Sequence, residues 1–107
     1  MSNIEEIVVV LGQEIKNYAQ DSWLPYKDAA IKDGEVFVDK LKADLELWAT
    51  QLANKQISKE EFTFLVKAKA DLATLNALKQ AGLAQTQYDK FINGLIGVVI
   101  SSVFKII

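Results

Sequence analysis

The sequence lacks the residues that most often carry out chemistry in proteins: it contains no cysteine and no histidine. Disulfide frameworks, zinc–thiolate sites and cysteine nucleophiles are therefore excluded. Without histidine the chain also lacks the commonest general base, the usual transition-metal ligand and the side chain that titrates near neutral pH. We expect no catalytic site, no metal site and no cofactor.

Arginine is also absent, so all twelve basic residues are lysine. Arginine has the planar, forked head that suits phosphates and guanine edges, and lysine does not. The formal net charge of −2 further disfavours non-specific attraction to nucleic acids. We therefore expect no nucleic-acid partner.

Proline and glycine are scarce, with one proline and five glycines in 107 residues. This composition favours long helices over a turn-rich sheet protein. Half of the residues are hydrophobic and 24% are charged, as in ordinary globular proteins. At this length, residues 1–107 should form one domain with a single core.

The first residues, MSNIEEIVVVLG, carry two glutamates and no lysine before the apolar run. A secretory signal would have a basic leader and a small-residue cleavage site. On this ground we expect a cytoplasmic protein.

The spacing of apolar residues predicts an all-α protein with four amphipathic helices. We expect these helices over residues 3–20, 25–54, 58–81 and 86–107. Short connections make an antiparallel, up-and-down four-helix bundle the natural topology. Asp33-Gly34 is the weak point of the second helix, and the sequence leaves open whether the helix breaks there.

Each of the first three helices has a predicted buried stripe. These stripes comprise Ile4, Ile7, Val8, Leu11, Ile15 and Tyr18 in the first helix, Phe37, Leu41, Leu45, Trp48 and Leu52 in the second, and Phe62, Leu65, Ala68, Leu72, Leu75 and Leu78 in the third. Trp23, in the joint between the first two helices, should fold over the end of the bundle.

Local sequence signals mark several helix ends. Ser2 or Asn3 can cap the first helix. Ser58 and Glu61 have the spacing of a capping box at the start of the third helix. Gly82 is typical of the left-handed residue that closes a helix. Thr86, with Asp89 three residues later, is the predicted cap of the fourth helix.

The last seventeen residues, FINGLIGVVISSVFKII, are apolar nearly all round as a helix. Such a helix must be covered by protein or by lipid. Gly94, Gly97 and Ser101 form a strip of small residues between its apolar stripes. In an up-and-down bundle the first and last helices are adjacent, so their surplus apolar faces would merge on one side of the molecule.

We expect this side to contact a second copy of the chain or another protein, because large exposed apolar patches usually mark interfaces. The predicted contact residues are Val9, Val10, Leu95, Ile96, Val99, Ile100, Val103 and Phe104. The protein would then be a non-enzymatic structural or interaction module that forms a homo-oligomer.

Two other functions remain open. The chain could be a small membrane-associating protein, immunity-like, toxin-like or phage-encoded, that uses residues 91–107. As a helix those residues span roughly 25 Å, short of a bilayer core of about 30 Å. It could also carry an apolar ligand between its helices. An enzyme comes last, because the pairs Glu5–Glu6 and Glu60–Glu61 are explained by favourable charge at helix starts.

Overall fold

The structure is a computed structural model that describes residues 4–72 and 75–106. Within these ranges the chain is helical and contains no strand. The helices are α1 (Ile4–Ser22), α2 (Lys27–Ala53), α3 (Lys59–Leu72), α4 (Ala77–Gln80) and α5 (Gln85–Ile106), with a 3-10 turn at Leu24–Tyr26. The all-α prediction is confirmed. The predicted caps Ser2 and Asn3 lie outside the described residues.

Neighbouring long helices run antiparallel. α1 and α3 each pack against both α2 and α5. Between α2 and α3, Asp44 forms an ion pair with Lys69, while Trp48, later in α2, packs on Phe62, earlier in α3. Contacts that run in opposite chain directions require antiparallel helices. The molecule measures 42 × 22 × 19 Å along its principal axes.

All four long helices contribute to one hydrophobic core. Its fully buried members include Ile7, Leu11, Ile15, Phe37, Leu41, Leu45, Phe62, Val66, Phe91, Leu95, Val99 and Val103. The predicted inward sides of α1 and α2 are confirmed. In α3, Phe62 is buried as predicted, but Leu65 and Ala68 are only half-buried, and Val66 is fully buried in their place. The four-residue step from Phe62 to Val66 to Ala70 keeps one side of α3 inward. The side chain of Leu72 lies outside the described residues.

Gly34 does not break α2, which continues from Lys27 to Ala53. The residue is buried where α2 crosses Ile15 of α1. A Cβ atom at position 34 would lie 2.5 Å from Cγ2 of Ile15, closer than packed carbon atoms approach. Glycine therefore allows the close approach of α1 and α2.

The predicted third helix is interrupted, because α3 ends at Leu72 and α4 begins at Ala77. Asp33 of α2 accounts for the new helix start. Its carboxylate, 2% exposed, accepts hydrogen bonds from the backbone amides of Ala77 and Leu78, each at 2.9 Å. The first amides of a helix have no partner within the helix, and a carboxylate there also suits the helix dipole. Asp33, 44 positions before Ala77 in sequence, thus supplies the hydrogen-bond acceptor that no neighbouring side chain supplies.

Two of the predicted helix-end signals are confirmed. The amide of Ser58 donates to Oε1 of Glu61 at 2.9 Å, and the amide of Glu61 donates to Oγ of Ser58 at 3.1 Å. Gly82 adopts φ 95° and closes α4. Thr86 is not a cap, because α5 begins one residue earlier, at Gln85. The amide of Tyr88 already donates to the carbonyl of Ala84.

Gly34 and Gly12 should respond in opposite ways to replacement by alanine. Gly12 lies inside α1 and a Cβ atom there would meet nothing within 4 Å. Gly12→Ala should therefore raise the free energy of unfolding by about 1 kcal/mol through helix propensity. Gly34→Ala should lower it, because Ile15 is buried and cannot move aside freely. Urea unfolding of both variants measures the difference; equal stabilisation would contradict the close contact.

Removing the Asp33 carboxylate should destabilise the protein. Asp33→Ala leaves two amides at the start of α4 without their acceptor and should cost about 1 to 3 kcal/mol of unfolding free energy. Glu46→Ala, at an exposed position in the same helix, is the control and should change stability by less than about 0.5 kcal/mol. Thermal or urea unfolding reports both values, and equal stability of the two variants would refute the capping role.

Candidate interaction surface

Half of the residues predicted to meet a partner are covered by the chain itself. Leu95, Val99 and Val103 are fully buried, and Ile96 is 7% exposed. α5 turns these side chains toward the core that it shares with α1 and α3. This placement corrects the prediction for these four residues, because no partner can contact them while the fold is intact.

Val9 and Val10 lie on different sides of α1. Val9 is 71% exposed, whereas Val10 is half-buried. At about 100° per residue, Val9 lies on the opposite side of the helix from Tyr18. Because Tyr18 contacts Phe91 of α5, Val9 faces away from α5. α1 and α5 are adjacent as expected, but Val9 does not extend the outer surface of α5.

The outward side of α5 carries four residues that we call the α5 strip: Gly97, Ile100, Ser101 and Phe104. Gly97 and Ser101 are exposed, and Ile100 and Phe104 are half-buried beside them. Together they line a shallow groove of about 360 Å³. A Cβ atom on Gly97 would meet nothing within 4 Å. The helix backbone is therefore open to a close neighbour at this point.

Two lysines flank the α5 strip. Nζ of Lys59, in α3, lies 5.0 Å from the centre of the Phe104 ring, which is a cation–π contact. Nζ of Lys105 lies 3.3 Å from a carboxylate oxygen of Glu14 in α1. The Lys105 side chain is 60% exposed, so this ion pair contributes little to stability. The charge of Lys105 is thus offset by Glu14, and the ammonium of Lys59 lies over the ring of Phe104.

Aromatic contacts hold Phe104 in place. Its ring packs edge-on against Phe62 at 5.9 Å between centroids, and Phe62 packs in turn against Trp48 at 6.5 Å. Trp48 is 8% exposed, which confirms its predicted place in the core. These contacts hold the inner side of the Phe104 ring against the core.

A second groove, of about 200 Å³, lies between α1 and α2. We call it the α1–α2 groove. Its apolar floor consists of Val8, Gly12, Ile15 and Val38, and its rim of Glu35, Asp39 and Lys42. Glu35 and Asp39 are exposed, and within residues 4–72 and 75–106 neither carboxylate forms an ion pair. No local sequence pattern indicates this groove, because its lining combines Gly12 of α1 with Val38 and Asp39 of α2, which are distant in sequence.

A polar cleft lies where α3, α4 and α5 meet. Nζ of Lys79 lies 4.6 Å from the centre of the Tyr88 ring, and Asp71 and Asp89 also line the cleft. Burial raises the pKa of the Tyr88 hydroxyl, and the carboxylates of Asp33 and Asp89 raise it further. In the described part of the chain, no group of three or more acidic side chains is placed to hold a metal ion.

Tyr18, Trp23 and Phe91 form an aromatic cluster at the far end of α5 from the strip. The Tyr18 hydroxyl donates to the carbonyl of Phe91 at 3.0 Å, and Trp23 packs edge-on against the Phe91 ring, as predicted for the end of the helices. Burial raises the pKa of the Tyr18 hydroxyl, which the nearby Trp23 indole opposes only in part. Nε1 of Trp23 is buried and has no acceptor in good hydrogen-bond geometry among the described residues. Because its pKa is raised, the Tyr18 hydroxyl stays protonated and keeps its hydrogen bond to the Phe91 carbonyl well above neutral pH.

Comparisons with known proteins give no relative. No protein family, curated protein or solved structure matches this chain. Among the described helices, none is both long and apolar enough to cross a bilayer.

Proposed function

We propose that the four long helices constitute an up-and-down four-helix bundle and that this bundle is a non-enzymatic interaction module that self-associates through the α5 strip. The antiparallel packing of α1, α2, α3 and α5 around one core supports the bundle. In this architecture α4 is a short insertion, which Asp33 holds against α2.

The α5 strip is the observation that carries the proposal. Gly97 and Ser101 are exposed in the most apolar helix of the chain, and the half-buried Ile100 and Phe104 stand beside them. Small residues let a second helix approach closely. A close neighbour would also remove the remaining apolar surface of Ile100 and Phe104 from water. This burial favours association by about 25 cal/mol of free energy per Å².

The side chains of the strip are held in place before a partner binds, and this also favours association. Phe104 already packs against Phe62 on its inner side, and the ammonium of Lys59 lies over its ring. A side chain that is fixed before binding loses little conformational freedom when a partner arrives. Phe104 is therefore a suitable anchor for the contact.

The other large exposed apolar side chains are weaker candidates. Phe64 is 69% exposed, but it lies between Glu60 and Lys67 on a charged side of α3. Leu24, 63% exposed, and Leu47, 56% exposed, lie on different elements. Single exposed hydrophobic residues are normal on protein surfaces. The α5 strip differs because its apolar and small residues are contiguous.

Charge in the strip should abolish self-association without unfolding the chain. Ile100→Asp places a carboxylate in the proposed contact and should reduce the solution mass to that of the monomer. Ser101→Glu does the same from an exposed position, so it is expected to fold even if Ile100→Asp does not. Phe64→Asp is the matched control and should keep the mass of the parent protein. Light scattering after gel filtration gives the masses, and circular dichroism confirms helicity.

Two results would overturn this proposal. If Ser101→Glu is folded and keeps the parent mass, the strip is not the contact. If the parent protein itself is monomeric at every concentration, self-association is absent. In that case co-sedimentation of the parent with liposomes would favour the membrane function, and co-purified lipid found by mass spectrometry would favour the ligand carrier.

A further inference from the structure

One short segment holds its place only through contacts with other helices. We call residues 75–83 the α4 strap; they comprise α4 and the residues on either side of it. A helix of one turn is not stable by itself. We propose that the α4 strap opens and closes while the four long helices stay folded, and that the Asp33 carboxylate is its latch. This conformational device does not depend on the proposed self-association.

The latch is a buried charge without a counter-ion. Asp33 is 2% exposed and is the one charged residue that is buried among residues 4–72 and 75–106. No lysine in those ranges forms an ion pair with it. Taking an unpaired carboxylate out of water is costly, and the amides of Ala77 and Leu78 offset this cost. Opening would return the carboxylate and both amides to water, so the net free energy that holds the strap closed is small.

The apolar contacts of the strap are also few. Leu75 and Leu78 are its only buried side chains. The other buried core residues of the described chain lie in the four long helices, which contact one another directly as α1–α2, α1–α5, α2–α3 and α3–α5. These contacts stay in place when the strap opens. Segments with few buried apolar contacts open locally, at a lower free energy than the whole domain.

Opening about Gly82 would uncover surface that the strap now covers. Gly82 has φ 95°, which glycine adopts without steric penalty, and a Cβ atom there would meet nothing within 4 Å. The backbone can therefore turn at this residue. Leu75 would leave Val36 of α2, beside which it lines a cavity of about 220 Å³, and Lys79 would leave the ring of Tyr88. The open state thus presents apolar and aromatic groups that are covered when the strap is closed.

Native-state hydrogen exchange of the parent protein, followed by NMR, tests for local opening. The amides of Gln80 and Leu83 donate to backbone carbonyls within the strap, and we call them the strap amides. The amides of Leu41 and Val99, both in the core, are the core amides. We expect the strap amides to exchange faster than the core amides. Low concentrations of urea should accelerate only the core amides, because local opening exposes little surface.

Asp33→Asn tests the latch. The variant keeps the shape of the side chain but replaces one of the two acceptor oxygens by an amide donor. If the contact breaks when the strap opens, the strap amides should exchange about ten- to a hundredfold faster than in the parent.

Phe62→Leu is the matched control. Phe62 packs on Trp48, which lies about 22 Å along α2 from Asp33. This variant should accelerate exchange of the core amides, because it weakens the packing of the long helices. It should leave the strap amides unchanged, because the contacts of Phe62 persist when only the strap opens.

Either of two results would refute the inference. If the strap amides match the core amides in rate and urea dependence, or accelerate with them in Phe62→Leu, the strap opens only when the whole chain unfolds. If Asp33→Asn lowers the free energy of unfolding but leaves the exchange of the strap amides unchanged, the Asp33 contact persists in the open state and is not the latch.

Discussion

The closeness of α1 to its two neighbours is the constraint on which the rest of the structure depends. Gly34 lets α2 approach Ile15 of α1, and Gly94 lets α5 approach Tyr18 of the same helix. The Tyr18 hydroxyl also donates a hydrogen bond to the carbonyl of Phe91. Because α1 lies between α2 and α5, these contacts fix both helices relative to it.

The burial of one side of α5 determines which of its residues face outward. With Phe91, Leu95 and Val99 directed into the core, Gly97 and Ser101 lie on the outward side of α5. Two glycines three residues apart therefore have different uses. Gly94 makes room for a side chain of the same molecule, and Gly97 leaves backbone open on the surface.

Sequence patterns predicted the features that depend on residues close together in the chain. The capping box of Ser58 and Glu61 and the left-handed Gly82 involve local geometry, and both are confirmed. The cap of α4 by Asp33 joins residues 44 positions apart, so no local pattern could show it. For the candidate site, too, the local pattern was informative and the tertiary arrangement could not be predicted. Apolar periodicity identified α5, but the choice between core and surface depended on its rotation, which buries Leu95 and Val99 and leaves Ile100 at the margin.

The proposed contact therefore depends on a small difference in position around one helix. The described part of the chain offers acidic, basic and apolar side chains but no metal-holding cluster of acids, and its most distinctive surface is the α5 strip.

The most direct test of self-association is the change in backbone amide chemical shifts when the parent protein is diluted in solution. We expect concentration-dependent shifts at Gly97 and Ser101 in the strip, with little change around Phe64 and Leu24. Shifts that do not depend on concentration, or that centre on Phe64, would contradict association through the α5 strip.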